Sequence, residues 1–190
     1  LHHFTQPLLP PHLSLRLLLL LLELLDLLGL PTLLGPIDDD LEGQPGDGLM
    51  ALYGLESGYE AGCREAISGA VEMQRRMDHL NRAFENELGR KLRIGVGVHG
   101  GDAIVGTMGP PTTPILSSIG DNVNVAARLE SLTKDYECGI VISAATAEKA
   151  GVDLSAFPRH NAELRGRGET ISIFALPDEA DPFTKEKKSA

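Results

Sequence analysis

Three groups of residues in this chain have the types and spacing for chemistry. The first is Gly46-Asp47-Gly48, a carboxylate on a turn between extended segments, able to bind a hard cation together with a second carboxylate. The same triplet also reads as a plain tight turn in which Asp supplies a positive φ. The second is the stretch Ile119-Gly120-Asp121-Asn122-Val123-Asn124-Val125-Ala126-Ala127-Arg128-Leu129-Glu130. On a helix Asn124 and Arg128 project from one face near its positive N-terminal end, where a phosphate is favoured. The plainer alternative has Asn124 satisfying a loop carbonyl and Arg128 pairing with a surface carboxylate. The third is Leu164-Arg165-Gly166-Arg167-Gly168, whose glycines let two cations approach an anion without obstruction. Otherwise Arg165 and Arg167 form the solvated face of an edge strand, where cations discourage aggregation.

The elements that must position these groups follow from hydrophobic period. Leu49 to Tyr53 reads as a short strand after the Asp47 turn. From Glu60 to about Leu88 apolar residues recur at three- and four-residue steps, including Ile67, Ala70, Val71, Met77, Leu80 and Phe84, and predict a helix ending near Gly89. Met73, Met77 and Phe84 are core residues of that helix rather than a binding stripe. Leu92, Ile94, Val96 and Val98 alternate with Arg93, Gly95, Gly97 and His99, the period of a strand. His99 to Asp102 then predicts a turn and Ala103 to Val105 a return strand, making a hairpin. The glycines on one face of the first strand require something packed close to the backbone, another chain element or a ligand.

Gly109 to Pro114 is a loop, Ile115 to Ile119 a strand, and Asp121 or Asn122 the expected cap of a helix running to about Lys134. Gly139 to Ser143 predicts a buried strand and Ala144 to Ala150 a short helix. Ala162 to Arg167 and Thr170 to Leu176 predict two strands, and the tail after Pro177 is polar and expected to be loose. This order predicts an α+β fold, with helices packed over one face of a mainly antiparallel sheet.

With 27 acidic against 17 basic residues in 190, the net charge of −10 argues against a nucleic-acid binder, whose affinity comes from cations on phosphates. Cys63 and Cys138 are too few for a disulfide framework or a structural zinc motif, and read as buried or half-buried thiols of a reducing compartment. The six histidines show no pairing that assigns a metal site.

Residues 13–30 hold 13 leucines. Arg16, Glu23, Asp26 and Gly29 interrupt them, and the uninterrupted apolar stretch Leu17–Leu22 is far short of the roughly 20 residues a membrane span needs. Arg16, Glu23 and Asp26 share one sector of a helix, so the tract is expected to be a packed amphipathic helix. It lacks the basic start and small-residue cleavage site of a signal peptide.

Three motifs in order resemble one family. They are Gly-Asp-Gly-Leu-Met-Ala-Leu-Tyr-Gly at 46–54, Ile-Gly-Val-Gly-Val-His-Gly-Gly-Asp-Ala-Ile-Val-Gly at 94–106, and Ile-Gly-Asp-Asn-Val-Asn-Val-Ala-Ala-Arg-Leu-Glu-Ser-Leu-Thr-Lys at 119–134. Together they resemble the class III adenylate/guanylate cyclase catalytic domain, most of all that of bacterial adenylate cyclases, from about residue 46 to 176. The resemblance implies a ferredoxin-like or palm-type α+β fold, with residues 46–177 as catalytic core, 1–45 as a poorly matching N-terminal part and 178–190 as a tail. It implies attack of the ribose 3′-oxygen of ATP on its own α-phosphorus, giving cyclic AMP and pyrophosphate. Two ions, Mg²⁺ or Mn²⁺, held by two aspartates would assist.

In that likeness Asp47 matches the second metal aspartate, Asn124 the ribose-orienting residue, and Arg128 the one that offsets charge at the α-phosphate. Arg167 stands where a Lys usually meets the terminal phosphates. Gly43 and Ser117 occupy the two purine-reading positions, where many such domains carry Lys and either Asp or Thr. Ser117 can still hydrogen-bond the adenine edge, whereas Gly43 offers no side chain. The first metal aspartate precedes a Phe-Thr pair by four residues; Phe4-Thr5 matches that pair, so this aspartate is expected just before Leu1. Asp38, Asp39 and Asp40 read as a solvated acidic loop rather than its substitute.

The resemblance further implies a homodimer whose active sites are shared across the interface, a cytoplasmic location, and an upstream regulatory or membrane domain in a longer protein. Two other functions are weighed beside it: a catalytically weak or inactive module that dimerises or senses nucleotide, and a guanylate cyclase.

Overall fold

The computed structural model describes residues 50–85, 91–108, 115–163 and 170–184, all within the larger of the chain's two units, Leu33–Ala190. The leucine-rich helix expected in residues 13–30 lies outside the described residues. In chain order the elements are α1 (Tyr59–Ala83), β1 (Val96–Val98), β2 (Ile104–Met108), β3 (Ile115–Ile119), α2 (Asp121–Asp135), β4 (Ile140–Ser143), α3 (Ala144–Ala150), β5 (Arg159–Glu163) and β6 (Thr170–Leu176).

Four strands form one sheet in the order β1-β4-β6-β5, and β2 and β3 pair as a separate ribbon. β4–β6 and β5–β6 are antiparallel, whereas β1 runs parallel to β4 with Val96 opposite Ile140 and Val98 opposite Ile142. The hairpin expected of residues 92–105 therefore does not form. A parallel neighbour requires a long crossover, and the chain supplies it by sending β2 and β3 out as the ribbon and returning through α2. The strand at Leu49–Tyr53 is also absent from residues 50–53, which have no regular structure.

Alternation along the strands sorts the core into two clusters. Val98, Ile140, Ile142 and Leu176 point to the face covered by α1 and α3, packing with Cys63, Ile67, Ala70 and Val71. Val141, Ile173 and Ala175 point the other way, packing with Val125 and Leu129 of α2. The helices thus lie on both faces of the sheet, not over one. Met77 is buried, as the core reading required, and Cys63 and Cys138 are buried free thiols.

Ahead of β1 the extended chain is served by side chains of α1 rather than by a neighbouring strand. Asn81 accepts from the Leu92 amide at 2.7 Å and donates to its carbonyl at 2.8 Å. The buried Gln74 amide donates to the carbonyls of Ile94 and Gly139 at 2.9 and 2.8 Å. Unpaired backbone groups at a sheet margin are costly when buried, and these two residues remove that cost while fixing α1 against the start of β1.

The tail is not loose where it leaves β6. Ala180 and Phe183 pack on the α1/α3 cluster, Arg64 sits 5.2 Å above the Phe183 ring, and Asp178 and Asp181 meet Arg93 and Arg75. Among the described residues no helix is long and apolar enough to cross a membrane.

Candidate active site

α2 begins where β3 ends. Gly120 is its N-cap, and the Gly120 carbonyl accepts from the amides of Val123 and Asn124 at 3.1 and 3.5 Å. The expected capping by Asp121 or Asn122 does not occur: Asp121 is already the first helical residue, and the Asn122 side chain is turned back to the loop after β1.

Val125, Leu129 and Thr133 are the buried stripe of α2. Asn124 and Arg128 form the next stripe round the helix, a quarter turn away, with Asn124 exposed and Arg128 half-buried. Neither side chain has a hydrogen-bond or ion-pair partner among the described residues. One amide and one permanently charged fork therefore face outward one turn apart. That arrangement can hold a hydroxyl and an anionic oxygen of one ligand at the same time.

The height of α2 above the sheet is set by glycine. A Cβ on Gly97 would run into the backbone of α2 at Ala126 and Glu130, and one on Gly95 would meet the Thr133 and Glu130 side chains. The close approach anticipated from these glycines is thus to another element of the chain. Gly62 of α1 plays the same part for the segment that follows Asp47, since a Cβ there would collide with Gly54, and Gly54 itself has a φ of +80°. Tyr53 lies against Gly69 of α1, and burial, with the Glu65 carboxylate adding to it, pushes the Tyr53 hydroxyl above its ordinary value.

Ser117 is on β3 opposite Gly106 of β2; its side chain is outside the described part. Asp47, Gly43, Arg165 and Arg167 lie outside the described residues, as do Asp38, Asp39 and Asp40. Of the residues expected at the site, the structure therefore brings Asn124 and Arg128 together. Among the described residues no group of three or more His, Cys, Asp or Glu side chains could hold a metal ion.

A second polar group was missed in the sequence. His99 lies between Ser143 and Asn122, with Nδ1 2.9 Å from Ser143 Oγ and Nε2 3.1 Å from Asn122 Oδ1. Burial pushes its imidazole below the ordinary value, with the Asn122 contact opposing in part. Ser143 and His99 are 44 residues apart, so nothing in local spacing could have joined them.

Helices on both faces of a mixed sheet, with an amide and a guanidinium presented from the start of α2, define an α+β domain and its candidate site. The chain belongs to the family of adenylate and guanylate cyclase catalytic domains, whose sequence model matches residues 44–176. It is 32% identical over 138 residues to an adenylate cyclase of Anabaena cylindrica, covering 69% of this chain and 26% of that one. It is 27% identical over 131 residues to adenylate cyclase 1 of Rhizobium meliloti (strain 1021), covering 69% of this chain and 20% of the relative. The chain thus spans about a quarter or less of these relatives' length.

Among solved structures it is similar to the guanylyl cyclase Cya2, with a TM-score of 0.71 and 24% identity over 93% of this chain and 86% of that one. The adenylyl cyclase CyaB from P. aeruginosa gives a TM-score of 0.68 and 22% identity, over 92% of this chain and 87% of the other. The class III cyclase fold follows from these likenesses together with the mixed sheet and its helices.

Proposed function

We propose that this domain converts ATP to 3′,5′-cyclic AMP and pyrophosphate as a homodimer. The observation that carries this reading is the outward Asn124–Arg128 stripe at the start of α2, whose side chains have no partner among the described residues. In the proposed reaction the Asn124 amide orients the ribose so that its 3′-oxygen faces the α-phosphorus, and the Arg128 guanidinium offsets the charge that gathers on the α-phosphate oxygens as the new bond forms. Arg128 is worth most at that moment, because a fixed cation needs no reorganisation when the charge develops.

Mg²⁺ or Mn²⁺, held by Asp47 and a second aspartate, would supply activation of the 3′-oxygen and stabilisation of the leaving pyrophosphate. Arg167 would meet the terminal phosphates, and Ser117 the purine edge beside Gly43. The choice of ATP is supported by the two relatives named as adenylate cyclases.

A shared site is supported by the β2–β3 ribbon. Ile104 and Ile119 are directly opposed on it and are 75% and 58% exposed, an apolar cross-strand pair suited to burial against a second copy. In that dimer Asp47 of one protomer would face Asn124 and Arg128 of its partner.

The test is an assay of the purified protein, extended upstream of Leu1 to carry the expected first metal aspartate, with ATP and with GTP, each with Mg²⁺ and with Mn²⁺. Cyclic AMP is expected, and Asn124→Ala or Arg128→Ala should each lower kcat by about a hundredfold or more. Cyclic GMP as the main product would overturn the substrate assignment, and equal turnover in the variants would overturn the assigned roles. Activity in a species that sediments only as monomer would overturn the shared site.

A further inference from the structure

The polar group around His99 is a chain of hydrogen bonds whose direction can be fixed from its ends. Asn122 Nδ2 donates to the Asp102 carbonyl at 2.7 Å, and a carbonyl only accepts, so Asn122 must turn Oδ1 to His99. His99 Nε2 therefore carries a hydrogen. In a neutral ring Nδ1 is then an acceptor, and Ser143 Oγ donates to it. Ser143, having used its hydrogen, accepts from Thr146 Oγ1 at 2.6 Å. Thr146 Oγ1 in turn accepts from the Gly100 amide at 2.8 Å, and a backbone N–H only donates.

Each hydrogen has a place when His99 is neutral. A charged ring would donate from Nδ1 as well, so that Ser143 either reverses its bond with Thr146 or accepts twice, and one hydroxyl hydrogen of the pair is left without an acceptor among the described residues. Ser143 and Thr146 are 0% and 1% exposed, so water cannot readily supply one. Burial acts in the same direction on the imidazole.

The chain starts and ends in the loop after β1, at Gly100 and Asp102, and on the way passes through the β4–α3 corner and the second residue of α2. Gly101 makes the last link possible, because a Cβ there would overlap the Asn122 amide. Asn122 is two residues before Asn124. We infer that neutral His99, protonated at Nε2, and Asn122 are positioning residues, and that the chain of bonds running from Thr146 through Ser143 and His99 to Asn122 fixes the first turn of α2 and so the direction in which Asn124 and Arg128 are presented. The consequence for turnover rests on the cyclase reading above; the consequence for geometry does not.

The test combines nitrogen-resolved NMR of the histidine rings with kinetics of Thr146→Val, His99→Ala and His99→Gln. His99 should be neutral and protonated at Nε2 at pH 7.5; protonation at Nδ1 or a charged ring would overturn the proposal. Thr146→Val keeps the shape and removes the hydroxyl, and should displace the backbone amide signals of Asp121 to Asn124. Thr146→Val and His99→Ala should each lower kcat roughly tenfold while KM moves less than about twofold, since they touch no substrate. His99→Gln should recover most of the rate, because its amide can accept from Ser143 and donate to Asn122 together. Unmoved amide signals in a folded Thr146→Val protein would overturn the proposal, as would a kcat that falls equally in His99→Ala and His99→Gln. Absence of cyclase activity in the wild-type sequence carrying both metal aspartates would instead sink the cyclase reading, with the tautomer and the amide signals still deciding the positioning role.

Discussion

The two faces of the four-stranded sheet are built by different means. On one face α1 and α3 are held by large apolar side chains, with Ile67, Ile140, Ile142 and Leu176 each 0% exposed. On the other, α2 rests in part on a strand stripped of side chains at Gly95 and Gly97, and its first turn is tied by hydrogen bonds through Asn122 and His99. Apolar packing tolerates small adjustments of rotamer, whereas backbone against backbone and a directed hydrogen-bond chain do not. The helix that carries Asn124 and Arg128 is the one held by the less forgiving means. Stability and site geometry are therefore expected to respond to different substitutions.

The largest effect on folding should come from the apolar face. Ile67→Ala leaves a cavity among residues that cannot all collapse into it and should destabilise the domain by about 2–5 kcal/mol in urea unfolding. Its kcat per folded molecule should be unchanged. A large fall in kcat at full folding would mean that the two faces are not separable in this way.

Gly97→Ala should cost less stability, about 1–3 kcal/mol, because the added Cβ must push α2 away from β1. Unlike Ile67→Ala, it should also lower kcat in the folded fraction, since the displaced helix carries the stripe. A variant with wild-type stability and turnover would show that α2 is not held at that height by the glycine.

The smallest effect is in pH dependence. The ordinary imidazole value is 6.5, and burial holds that of folded His99 lower. Well above 6.5 neither the folded nor the unfolded chain binds this proton, and the stability attached to it is fully present. As pH falls through 6.5 the unfolded chain protonates first, so stability is lost down to the lowered folded value and no further below it. Subtracting the His99→Gln curve from the wild-type curve of unfolding free energy against pH should isolate that loss. Parallel curves would show that His99 is not held neutral.

Much of the fold was legible in the chain. The three- and four-residue period of α1, the α2 pattern from Val123 to Leu132, and the apolar runs of β4 and β6 each record a local preference together with a buried face. The hairpin at 92–105 was misread for a physical reason. Alternation and a Gly-Gly turn report that a strand exists and that the chain bends, but they carry no information about which strand will occupy the vacant edge. Ile140–Ser143 takes that place from more than forty residues downstream. The start of β5 at Arg159 was also missed, because Arg159, His160 and Asn161 are all polar and exposed or half-buried, so no apolar alternation marks them.

The site divides along the same line. Asn124 and Arg128 were legible because both belong to one helix, and a separation of four residues fixes a shared face whatever the helix packs against. That Asn124 is exposed and Arg128 half-buried was decided by which stripe of α2 the sheet buries.

The sequence by itself determined the family, the pair of side chains one turn apart, and the need for something close to Gly95 and Gly97. Only the tertiary structure decided that this neighbour is the backbone of α2. It likewise decided that Asn122 reaches back to the loop instead of capping its helix, and that His99 joins it to Ser143 and Thr146. Helical spacing is a property of consecutive residues, while contacts between β1, α2 and β4 exist only after the parallel crossover has closed.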